Sequence, residues 1–120
     1  MQPSYNFRMP KTSRARVTFE LVRRTALSLP QVTEGSSYRF PAFRTHGKVF
    51  LCLRQDLNSI LVRTTFDQRD DMIATSPETY YTTDHHRPHP WVLAHLETLD
   101  VAVLPDLLRM GWQAVRRAKE

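Results

Sequence analysis

Four side chains able to bind a metal or move a proton fall within six residues: Asp84, His85, His86 and His89. Imidazole and carboxylate groups are the usual ligands of zinc and its neighbours. A shared ion needs them to converge, and His85 and His89 would face one direction only on a helix. Pro88 and Pro90 oppose a helix there. The segment therefore reads as a polar loop fastening a sheet edge, with no metal expected. Cys52 alternates with apolar residues in Val49–Leu53, which describes an inert buried thiol. There is no G-x-S-x-G and no cysteine at a helix start. The three glycines, Gly35, Gly47 and Gly111, are too scattered for a phosphate-cradling loop. No spacing ties a serine to a histidine or one acid to another. The expectation is no catalytic residues, no enzyme activity and no cofactor.

The stronger chemical signal is basic and aromatic interleaving. Tyr38, Arg39, Phe40, Phe43, Arg44, Lys48, Phe50 and Arg54 crowd into one strand region. The net charge is +5, with +4 over residues 1–19, 0 over 20–34, +4 over 35–66 and −3 over 67–120. Arginine supplies 14 of the 17 basic residues, and its planar fork suits phosphate. A polyanion partner such as a nucleic acid is the functional reading, against a solvated basic surface that merely keeps the protein soluble. The aromatics suit the core and the bases suit strand ends and turns. Arg39, Arg44, Lys48, Arg54, Arg63 and Arg87 are thus the expected phosphate contacts, with base readout less expected.

The elements that must position these groups can be read from periodicity. Phe19, Val22, Ala26 and Leu29 give a helix over 19–29, with Thr18 as N-cap and Pro30 as stop. A strand over 37–44 contains Pro41, which places it at an edge or a bulge. A turn at Thr45–Gly47 leads to a strand over 48–54. Simple alternation there puts Val49, Leu51 and Leu53 on one face, Phe50 and Cys52 on the other. Both faces are apolar, so one takes helices and the other needs a further cover, from another segment or a second copy. A third strand spans 59–65. A helix over 68–75 takes Asp67 as N-cap, with Asp70 and Asp71 favoured by its dipole. Strands at 80–83 and 91–96 follow. The last helix runs over 105–118, with Leu104, Leu108, Trp112 and Val115 on one stripe and Gly111 allowing a close approach. The order α-β(3)-α-β(2)-α gives an α+β fold, helices packed on an antiparallel sheet.

A length of 120 residues describes one domain with a core of its own, here 17–120, preceded by a flexible basic arm over 1–16. The single cysteine forbids an internal disulfide and fits a reducing compartment. The longest apolar run, Val49 to Leu53, is far too short to span a membrane. A cytoplasmic location with no membrane partner is expected.

Two stretches, Leu29 to Leu51 and Tyr81 to Leu96, resemble the MmcQ/YjbR-like family. The specific parts are Glu34-Gly35 after the first helix, Phe43-Arg44 before Gly47-Lys48, and His85-x-Arg87-x-x-Pro90-Trp91. His86, His89 and Arg39 depart from the residues usual there. The resemblance covers about residues 18–118. It implies a secretion-chaperone-like or frataxin-like (CyaY-like) α+β fold and a DNA-binding role, with Glu34, Gly35, His85, Pro90 and Trp91 as its motif loop. The alternative is a protein-interaction module, chaperone-like or homodimeric, that uses the second apolar sheet face.

Overall fold

The computed structural model describes residues 16–117, and all of the expected arm except Arg16 lies outside them. Helix α1 (Phe19–Leu27) starts where Thr18 Oγ1 accepts the Leu21 amide at 3.0 Å. It buries Val22 and Ala26 and ends two residues before the expected Leu29. The strands β1 (Val32–Ser37), β2 (Phe40–Thr45) and β3 (Lys48–Arg54) follow, then a 3₁₀ turn (Gln55–Leu57) and β4 (Ser59–Arg63). Helix α2 (Phe66–Thr75), β5 (Tyr80–Tyr81), β6 (Trp91–His95) and α3 (Leu104–Arg117) complete the chain. The strands form one antiparallel sheet in the order β1-β2-β3-β4-β6-β5.

The α+β class is thus as the sequence predicts, with one more strand: the order is α-β(4)-α-β(2)-α. The strand expected over 37–44 is instead the end of β1, a turn, and most of β2. Tyr38 and Arg39 form the turn with φ of 52° and 77°. Positive φ at both central residues is the mirror-image hairpin turn, which normally announces itself by Asn-Gly or Asp-Gly. Nothing in Tyr-Arg signals it. His46 and Gly47 make the second such turn, with φ of 54° and 74°. Pro41 sits opposite Ser36, before pairing with β3 begins at Ala42, so its missing N–H falls at the start of the strand.

The faces of β3 also differ from simple alternation. Phe43 pairs with Leu51 but Arg44 pairs with Val49, leaving Phe50 as the extra residue of a bulge. Phe50, Leu51 and Leu53 therefore all enter the main core, while Val49 joins Cys52 on the opposite face. Helix α2 begins two residues earlier than expected. Its N-cap is Thr65, not Asp67, because Thr65 and Gln68 form a reciprocal capping box.

The main core lies between the sheet and helices α1 and α3. Val22, Phe43, Phe50, Ile60, Val62, Val92, Leu104, Leu108 and Val115 are essentially sealed there. Gly111 lets α3 approach the sheet. A Cβ at that position would stand 2.8 Å from Val62 Cγ1 and 3.1 Å from the Arg63 carbonyl oxygen. The end of α3 is tied down by Trp112 Nε1, which donates to the Pro30 carbonyl (2.9 Å), and by Arg116, which donates to Thr45 Oγ1 (3.0 Å). No helix of the described residues is long and apolar enough to cross a membrane.

Candidate functional site

The face of the sheet turned away from α1 and α3 has a small apolar floor: Ala42, Cys52, Leu61 and Leu93, with Val49, Tyr81 and Trp91 against it. The loop 82–90, between β5 and β6, covers part of this face. The cover that the two-sided apolar pattern demands is therefore supplied in part by the chain itself. Among the residues lining the cavity beneath it, about 410 Å³, are Cys52, Arg54, Leu61, His85, His86, His89 and Trp91, with Tyr38 and Phe40 at its rim.

The loop is held by a residue that the sequence reading did not single out. Arg69 of α2 is buried, and its Nη1 donates to the carbonyl oxygens of Arg87 (3.0 Å) and His89 (2.9 Å). A buried guanidinium demands such acceptors. Its sequence position, one residue before Asp70-Asp71 on a short helix, looks like a solvated charge, so only the fold reveals it. The Thr64 amide donates to the Pro90 carbonyl (2.8 Å), and Thr83 Oγ1 lies 2.8 Å from His86 Nδ1. The His85 and His86 rings meet edge to face, with centroids 4.9 Å apart. Burial, and then the neighbouring His85, Arg54 and His89, press the His86 pKa below its ordinary value. Burial pushes the Cys52 thiol up, against the opposing pull of Arg54 and Arg44. Cys52 is thus a poor nucleophile at neutral pH. Among the described residues no three His, Cys, Asp or Glu side chains converge as metal ligands.

One serine–histidine pair does meet. Ser59 Oγ lies 3.4 Å from His95 Nδ1 and 2.8 Å from Tyr81 Oη, and the Tyr81 and His95 rings stack at 4.2 Å. Ser59 is fully buried and its hydroxyl donates to the Leu57 carbonyl, so the cluster stitches β4, β5 and β6 together.

The expected phosphate contacts divide by face. Ala42, Cys52 and Leu61 belong to the open face, so alternation places Arg44, Arg54 and Arg63 there too. Arg44 Nη2 donates to the Ser36 carbonyl (3.3 Å). Arg54 forms a two-pronged pair with Asp56 (3.0 and 3.1 Å) and lies over the Phe40 ring. Arg63 Nε is buried without a hydrogen-bond partner among the described residues. Arg39 stands exposed in the β1–β2 turn beside Tyr38. Lys48 is different: it pairs across the hairpin with Thr45, which faces α3, so it belongs to the helix side. Arg87, paired with Asp84 (3.4 Å), lines the groove between α2 and β5. Of the motif residues, Glu34 accepts from Arg23 Nε of α1 (2.8 Å), and a Cβ on Gly35 would stand 3.2 Å from Arg44 Nη1. Glu34 thus ties the β1 edge to α1, and Gly35 leaves room for Arg44. His85 and Trp91 line the cavity, and Pro90 anchors its loop.

A six-stranded antiparallel sheet, helix-covered on one face and roofed by a histidine-rich loop on part of the other, defines a two-layer α+β domain. A family model described as YjbR matches residues 27–114, and the chain belongs to the YjbR family. The crystal structure of a Deinococcus radiodurans protein with a DUF419 domain is similar in fold, with a TM-score of 0.72 at 17% identity over 83% of this chain and 79% of that one. No curated protein matches the chain.

Proposed function

We propose that this YjbR-family protein is a cytoplasmic DNA-binding domain whose nucleic-acid surface is the open face of the sheet. The observation that supports it most is the gathering of Arg44, Arg54 and Arg63 on that face, with Arg39 at its hairpin end. Glu34 is turned to the other side and paired with α1, so it does not cancel this charge. Tyr38, 91% exposed in its turn, adds a ring for stacking on a base. Lys48 and Arg87 lie peripheral to this surface and contribute long-range attraction.

Fluorescence anisotropy of labelled duplex and single-stranded DNA across a salt series tests the reading. Micromolar or tighter binding that weakens linearly with log salt is expected, the slope counting the phosphates neutralised. Absence of binding at low salt would leave the face as an ordinary cationic surface and move the protein-interaction reading to first place.

A further inference from the structure

We propose that the cavity under loop 82–90 is a binding site for a small organic monoanion with a flat apolar body, of the aromatic carboxylate class. This goes beyond DNA binding and does not depend on it. The cavity holds about 410 Å³, within the range of small-molecule sites. Its floor of Cys52 and Leu61, with Val49, offers no strong hydrogen-bonding group, so the body of the ligand must be apolar. Trp91 and Phe40 are among its lining residues, which suits an aromatic body.

The polar groups that line it are mostly hydrogen-bond donors suited to an anion. His85, His86 and His89 come from the loop and Arg54 from the sheet. The nearby acids are already engaged, Asp56 with Arg54 and Asp84 with Arg87. Three imidazoles and the Nη1 of Arg54, the nitrogen not given to Asp56, line an apolar floor, which is the division of labour of a ligand pocket: burial supplies affinity and a few polar groups fix orientation.

A second observation points to the same place. Tyr38 lines the cavity, yet it is 91% exposed and its backbone sits at φ 52°. A bulky residue in the left-handed region is held at a cost, and such residues gather at ligand-binding sites. An exposed tyrosine ring at the mouth of an apolar cavity is placed to close over a flat ligand.

The test is a heteronuclear NMR titration of the intact protein with 2-naphthoate, and with neutral 2-methylnaphthalene as control. Saturable shifts at Val49, Leu61 and His86 with 2-naphthoate, at least tenfold tighter than with the neutral probe, are expected. Shifts absent at millimolar 2-naphthoate, or equal affinity for both probes, would overturn the proposal. Tyr38→Gly separates binding from folding, because glycine adopts φ 52° freely. It should leave the melting temperature unchanged or higher while weakening 2-naphthoate at least fivefold. Undiminished affinity in this variant would remove Tyr38 from the site, and the closing role with it.

Discussion

At the scale of single residues, two positions report directly on the physics of the fold. Gly111→Ala adds a methyl 2.8 Å from Val62 Cγ1 and close to two backbone carbonyls, which cannot retreat. Overpacking of this kind costs about 1–3 kcal/mol, against a helix-propensity gain of up to about 1 kcal/mol. A net loss of about 1–2 kcal/mol in urea denaturation is expected, and a more stable variant would show that α3 can shift outward. His86 has a folded-state pKa below its ordinary value, mainly through burial. The unfolded chain therefore takes up the proton first. This contribution to stability is complete above the ordinary value of about 6.5 and is lost as pH falls from there towards the folded value. Melting temperatures across that window should fall for the native protein, and His86→Asn should flatten part of the slope. Legibility at this scale was uneven. Thr18 as a cap and Gly111 as a close approach follow from residue type alone. Tyr38 and Arg39 do not, because tertiary structure imposes left-handed conformations that their side chains disfavour.

At the scale of elements, the loop 82–90 depends on a helix distant in sequence. Arg69 donates to two loop carbonyls from a buried position, so its removal strands both acceptors. Hydrogen bonds to charged groups contribute about 1.5–3 kcal/mol each, and a buried network rarely loses less than one of them. Arg69→Met should destabilise the domain by about 3 kcal/mol. It should also raise amide exchange at residues 83–89 more than in β3 or β4. Uniform loss of protection would mean that Arg69 supports the core and not the loop. Much of the element order is readable from periodicity because α1, β3, β4, β6 and α3 each have a clear apolar face. The loop's role is not, since neither Arg69 nor the carbonyls it serves differ in type from surface residues. The bulge at Phe50 is hidden for a related reason. Alternation assumes one residue per partner, and only the pairing of Arg44 with Val49 reveals the extra one.

At the scale of the whole molecule, charge is sorted by the sheet. The sequence locates one of its two basic blocks in residues 35–66 but cannot say which side each base takes, because that depends on register. Register separates Arg44 from Lys48 although they lie four residues apart. This separation yields the sharpest test of the proposed nucleic-acid surface. Arg39→Ala with Arg44→Ala removes two cations from the open face. If both contact phosphates, the slope of log affinity against log salt should fall by about 1.4–1.8, the weakening being similar for different sequences. Lys48→Ala removes one cation, from the helix side, and should lower affinity less, with little change in slope. Circular dichroism melts of all the variants exclude unfolding as the cause. A slope change for Lys48→Ala about half that of the Arg39/Arg44 variant would mean that net charge, and not the face that carries it, governs binding. The open sheet would then be left to its small-molecule cavity.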